Sequence, residues 1–247
     1  MAGNELIALS GTDITKAYGT DVILDRVSFH VNLGDKVGIV GANGAGKTTL
    51  LDIIAGDMTP DSGRVFISQD LEVGYLRQND DFRDHATLLE EVANIYGRFT
   101  DMERRMEDLT EEISRMAAHG EHGEEQQKLL ERYGAIHDEY EKSGGYTYKS
   151  EQKGILTSMA FGEEYYEKPI STLSGGERTR LALACLLMRK PEILILDEPT
   201  NHLDIGMLRW LEQFLKAYKG TVIIVSHDRY FLDQLATHIF ETMMSSL

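Results

Sequence analysis

The sequence predicts an α/β fold interrupted by a long helical insertion, and three observations carry that prediction. The β-rich run Lys36-Val-Gly-Ile-Val40 leads into the glycine-rich stretch Gly41-Ala42-Asn43-Gly44-Ala45-Gly46-Lys47-Thr48-Thr49, and Leu50 to Ala55 then follow with helical spacing. This is the strand, loop and helix order of a phosphate-binding loop. Far downstream, Ile193-Leu-Ile-Leu196 and Thr221-Val-Ile-Ile-Val225 have the length and apolar character of parallel strands covered on both faces. Between the two halves the periodicity changes to a heptad.

Taken in order, residues 7–68 read as short β-rich runs broken by Gly and Asp, among them Val27-Ser-Phe-His-Val31. The helix after the loop stops at Gly56. Leu88, Val92, Ile95, Phe99, Met102, Met106, Leu109, Ile113 and Met116 then alternate steps of four and three. That spacing forms a heptad seam flanked by Glu103, Arg104, Arg105, Glu107 and Asp108. Ala118-His-Gly-Glu-His-Gly123 interrupts it, and Leu129 or Leu130, Tyr133, Ile136 and Tyr140 resume it as far as Gly144-Gly145. The expectation is an antiparallel helical hairpin with Gly120 and Gly123 at its turn. A short helical segment within 146–162 follows. A helix from near Asp204, with Leu208, Leu211 and Leu215 on one face, ends at Gly220.

The chain of 247 residues is long enough to bury a sizeable core. Its single cysteine, Cys185, excludes a disulfide framework and sits in an apolar stretch where a packing role is expected. One thiol and no secretory signal fit a reducing cytosol, so a cytoplasmic location is expected. No window approaches the roughly 18 to 20 apolar residues that span a bilayer. Acidic residues outnumber basic ones 41 to 25, for a formal charge of −16, which argues against a broad nucleic-acid-binding face.

The pentapeptide Leu173-Ser174-Gly175-Gly176-Glu177 lies between the phosphate loop and Leu196-Asp197-Glu198-Pro199-Thr200. With those three signals, the chain resembles the ATP-binding cassette ATPases from about Leu6 to Glu241. The resemblance implies a P-loop nucleotide-binding domain with a mixed sheet core, an antiparallel β subdomain and a helical subdomain, here carrying an inserted coiled-coil hairpin. On that reading residues 1–86 begin the core, 87–145 form the hairpin or arm, 146–241 complete the helical subdomain and core, and 242–247 are a tail.

For the site, backbone N–H groups of Gly41 to Thr49 are expected to wrap the ATP phosphates, with Lys47 adding charge and Thr48 its hydroxyl to Mg²⁺. Asp197, at the end of a buried strand, is expected to hold Mg²⁺ through a water. The resemblance makes Glu198 the general base and His227, in Ser226-His-Asp228, the contact to the γ-phosphate. It also gives Gln78 a place on Mg²⁺ and the attacking water, and makes Tyr18 a stacking platform for adenine. Ser174, Gly175, Gly176 and Glu177 open a helix and form a second phosphate cradle, which in this family serves the ATP of a partner cassette.

Asn201-His-Leu-Asp204, the wording Ser226-His-Asp-Arg-Tyr-Phe-Leu232 and the arm are similar to the soluble ABC-F group, whose members carry two cassettes. That likeness implies an N-terminal half whose whole protein acts on the ribosome, through rRNA, ribosomal protein or tRNA, in translation or antibiotic resistance. The arm is itself acidic: residues 97–142 hold 13 Asp or Glu against 7 Lys or Arg. Two other readings stand beside it, the ATP-binding subunit of a membrane transporter and a DNA-maintenance ATPase. The transporter needs a groove for a membrane partner, and the DNA enzymes carry far longer coiled coils.

Overall fold

The computed structural model describes residues 6–77, 82, 85–120 and 123–242. They divide into two compact units, one formed by Met1–Asp81, Ser158–Ala160 and Leu173–Leu247, the other by Phe82–Thr157 and Phe161–Thr172.

The first unit holds two sheets. Strands β1 (Ile7–Tyr18), β2 (Asp21–Asn32) and β4 (Ser62–Ile67) form an antiparallel sheet in the order β2-β1-β4. Strands β3 (Lys36–Gly41), β5 (Val73–Leu76), β6 (Ile193–Asp197), β7 (Thr221–Val225) and β8 (His238–Thr242) form a parallel sheet in the order β5-β6-β7-β3-β8. The mixed character expected from the sequence is thus divided between two sheets, each of one sense. Every residue of β6 and β7 is buried, as their unbroken apolar runs require. Helix α1 (Lys47–Ala55) buries Leu50, Leu51, Ile53 and Ile54 in one core with Leu9, Ile14 and Leu24 of the antiparallel sheet and Ile39, Ile195 and Ile223 of the parallel one. At roughly 1.5–3 kcal/mol for each large apolar side chain, this shared core fixes the phosphate loop against both sheets.

The second unit contains helices α2 (Leu88–Ile95), α3 (Gly97–Ala118), α4 (Glu124–Lys142) and all but the last residue of α5 (Tyr148–Ser158). Thr87 starts α2 with a reciprocal capping box to Glu90. The start of α3 meets the end of α4, since Arg98 pairs with Glu139 at 2.5 Å and Tyr140 donates to Glu103 at 2.7 Å; the two helices therefore run antiparallel. Gly120 adopts φ 73° after α3 and Gly123 precedes α4. Leu129 is the buried member of the pair left open by the spacing, and Leu130 is exposed.

The heptad seam is not one helix, however. It breaks at Tyr96 (φ −100°, ψ 13°), which ends α2 and begins α3. The break lets Tyr96 and Phe99 both reach the Tyr148 ring, with centroids at 5.0 and 4.8 Å, an aromatic gain that a continuous seam would forgo.

In the first unit, helices α6 (Gly175–Arg189), α7 (Ile205–Ala217) and α8 (Arg229–Leu235) complete the fold. Cys185 lies buried within α6. Among the described residues no helix is long and apolar enough to cross a membrane.

Candidate functional site

Strand β3 delivers the chain into the loop at Gly41, and α1 leaves it at Lys47. Gly46 is required twice over: its φ is 81°, and a Cβ there would lie 2.7 Å from Ile23 Cγ2 and 2.9 Å from Leu24 Cδ2. Asn43 and Gly44 are exposed, while Ala45 and Gly46 pack inward. The Lys47 ammonium, almost buried, donates to the carbonyls of Gly41 (2.9 Å) and Ala42 (3.0 Å), so the loop curls around its own cation. Such a ring of backbone around a positive charge at a helix N-terminus is suited to an anion of several oxygens.

Asp197 ends β6 and is 6% exposed. Burial pushes its carboxyl above the ordinary range, an effect opposed by the hydroxyl of Thr48, which donates to Oδ2 at 2.7 Å. Of the three side chains assigned to a metal from the sequence, Thr48, Asp197 and Gln78, the first two therefore touch. Their donors are hard oxygens, which fit Mg²⁺, an ion that keeps several waters and takes few protein ligands. No cluster of three or more His, Cys, Asp or Glu able to hold a metal occurs among the described residues.

Glu198 adopts φ 50°, a left-handed conformation that costs of order 1 kcal/mol outside glycine. Its backbone N–H donates to Val225 at the end of β7, and its Oε2 accepts the His227 N–H at 3.2 Å. Oε1 is buried without a hydrogen bond, 3.3 Å from His227 Nε2, close enough for ion pairing but outside hydrogen-bond geometry. His227 itself is more than half exposed. Carboxylate and imidazole thus stand at the carboxyl edge of the parallel sheet, the edge where ligands collect in such folds.

Ser174 caps α6 through a reciprocal box, accepting from the Glu177 N–H at 3.3 Å while its own N–H donates to the Glu177 carboxylate at 2.8 Å. Gly175 and Gly176 form the first turn, and a Cβ on Gly176 would stand 3.5 Å from the His202 ring. The pentapeptide is therefore a helix N-terminus anchored by the buried stretch Leu181 to Met188. Tyr18 ends β1, half exposed, with its hydroxyl on the Met58 sulfur at 3.3 Å. Thr49 lies within α1, and Gln78 falls outside the described residues.

Sequence reasoning passed over several side chains beside these. Tyr75 of β5 donates to Asp52 of α1 at 3.0 Å, and the Arg77 guanidinium grips Asp57 with two nitrogens at 2.6 to 2.8 Å. The first ties the end of β5 to the helix that follows the phosphate loop, and the second ties it to the turn just beyond that helix. Asp61 does the same for β1 through Lys16 and Ala17. Only the turn-forming Pro60-Asp61-Ser62-Gly63 hinted at the last of them.

A family profile described as ABC transporter matches residues 24–201. The putative ATP-binding protein YdiF of Bacillus subtilis is 39% identical over 96% of this chain and 36% of its own length. The tylosin resistance ATP-binding protein TlrC of Streptomyces fradiae is 37% identical over 94% and 42%, respectively. The energy-dependent translational throttle protein EttA of Mycobacterium tuberculosis is 36% identical over 92% and 39%. The chain thus spans about two fifths of the length of these relatives. Among solved structures, an ATP-binding subunit of an ABC transporter superposes with a TM-score of 0.67 at 18% identity, covering 97% of this chain and 88% of the other, which speaks for the fold alone.

Proposed function

Because this chain belongs to the ATP-binding cassette ATPase family, in its F branch, we propose that it binds ATP with Mg²⁺ and hydrolyses it once a second cassette closes over the nucleotide. Gly41 to Thr49 hold the phosphates, and Lys47 exchanges its two carbonyl partners for phosphate oxygens. Thr48, Asp197 and Gln78 would hold Mg²⁺, which would supply neutralisation of charge on the phosphates. Tyr18 carries the adenine. Ser174, Gly175, Gly176 and Glu177 present their helix N-terminus to the partner's ATP.

The Glu198 carboxylate carries this reading. Its Oε1 is buried with its lone pairs unspent, beside Asp197 and within reach of the exposed imidazole edge of His227, which suits a base awaiting a water. His227 is exposed enough to turn toward a γ-phosphate, and doing so frees the carboxylate it now flanks. Two cassettes are required because one phosphate loop and one Ser174 helix make half of each of two sites.

The whole protein, cytoplasmic on this reading, acts on the ribosome as a translation or resistance factor, a role supported by the names of the relatives EttA and TlrC. Glu198→Gln in the full-length protein should trap the closed, ATP-bound form and enrich it in the ribosomal pellet on sedimentation. Equal pelleting with and without ATP would remove the ribosomal role and leave the ATPase standing.

A further inference from the structure

Strand β1 outruns its neighbour β4. Their pairing ends where Thr15 faces Ser62, yet β1 continues through Lys16, Ala17 and Tyr18, paired on that stretch with β2 alone. An edge N–H left without a strand partner needs another acceptor or water. Here Asp61, the residue before β4, supplies it: Oδ2 accepts the Ala17 N–H at 2.7 Å. Its other oxygen takes the Lys16 ammonium at 2.9 Å, and the same ammonium donates to the Thr59 carbonyl at 2.9 Å. The Asp61 N–H donates back to Thr15 at 2.8 Å. One carboxylate thus imitates the strand residue that is missing.

The turn bearing Asp61 is in turn tied to the end of the phosphate-loop helix. Gly56 caps α1 in the left-handed conformation, and the N–H groups of Asp57 and Met58 return to the Asp52 carbonyl at 2.9 and 3.1 Å. Met58 then receives the Tyr18 hydroxyl. At Gly63, with φ 84°, a Cβ would come within 2.3 Å of the Asp13 carbonyl, so β4 is held tightly against β1 just beyond the clamp.

We propose that Asp61 is a positioning residue for the nucleobase: it holds the end of β1 against the turn after α1, setting the distance between the Tyr18 ring and the phosphate loop. The inference rests on the reading of Tyr18 as the adenine platform. An ion pair whose carboxylate is half exposed contributes little to global stability even with its lysine largely covered, so the consequence of losing this one is local. The ring loses its anchorage, and the base must order it again on binding.

Equilibrium calorimetry of the full chain separates the possibilities, with ATP and inorganic tripolyphosphate as paired probes. Tyr18→Ala should weaken ATP about tenfold, the scale of one aromatic stack, and leave tripolyphosphate unchanged. Asp61→Ala should weaken ATP several-fold, again without effect on tripolyphosphate, and Asp61→Asn, which keeps one acceptor, should fall between. The double variant should bind ATP no more weakly than Tyr18→Ala alone, since the two act through one ring. Thermal melting of Asp61→Ala should stay within about 2 °C of the parent. If Tyr18→Ala binds ATP normally, the platform reading and this inference both fall. If Tyr18→Ala weakens ATP but Asp61→Ala does not, the positioning role alone is overturned. Equal weakening of tripolyphosphate by Asp61→Ala also overturns it, because the effect would then lie in the phosphate loop.

Discussion

At Gly46 the phosphate-binding unit has no room for a side chain, whereas at Gly97 the helical unit leaves open space around the same atom. That contrast belongs to these two positions and not to every glycine of the two units, since Gly44 is open and a Cβ on Gly145 would come within 2.5 Å of the Tyr140 ring. The first unit is held by backbone geometry: left-handed glycines, wholly buried strands and a loop folded onto its own lysine. The second is held by side chains, above all Glu103, which accepts from Tyr140 at 2.7 Å and Tyr148 at 3.2 Å and pairs with Lys149 at 3.0 Å. Chemistry that depends on fixed N–H groups needs the first kind of construction. A surface that meets other molecules can be built by the second.

The largest expected effect lies in the first unit. Glu198→Gln should lower phosphate release by about 10² to 10⁴, the range for removing a general base, with ATP affinity retained in a binding titration. Unchanged release would move the base elsewhere. Gly46→Ala comes next: a left-handed φ and two close methyl contacts together cost about 2–4 kcal/mol. Melting should fall by roughly 10 °C, while Gly97→Ala, at the first position of α3, should be neutral or stabilising by about 0.5–1 kcal/mol. Equal losses at the two glycines would erase the comparison.

Glu103→Ala removes the acceptor of two tyrosine hydroxyls and a lysine partner, for a loss of about 1–3 kcal/mol confined to the helical unit. Hydrogen exchange should rise in α4 and α5 while the ATP titration stays unchanged; a parallel loss of ATP affinity would show the units to be energetically one. The smallest effect is a gain. Asp197→Asn relieves a carboxylate whose burial outweighs the support of the Thr48 hydroxyl and the nearby Lys47 charge, and should raise the melting temperature of the metal-free protein by about 2–4 °C while abolishing the Mg²⁺ dependence of nucleotide binding. A lower melting temperature would mean that the carboxylate is better satisfied than its burial implies.

Much of the first unit was legible in the sequence because its motifs describe backbone. Gly41 to Thr48 must turn, strands at 193–197 and 221–225 must be buried, and Ser174 with Glu177 must cap a helix; each follows from local chemistry. The side-chain ties were not legible. Asp61 meets Ala17, and Arg77 meets Asp57, only because sheet register brings together residues 44 and 20 positions apart. The left-handed turn of Glu198 onto β7 likewise depends on a strand far along the chain. In the second unit the heptad announced the helices but hid the break at Tyr96, since its spacing continues unbroken through it. Aromatic packing on Tyr148, invisible to periodicity, decides that break.

The central claim is that each nucleotide is cut between two cassettes. Phosphate release per chain, followed across a dilution series with molar mass recorded on the same samples, tests it most directly. The rate per chain should climb with concentration as dimers appear and vanish toward the monomer limit. A fast rate that stays constant in samples proven monomeric would contradict it.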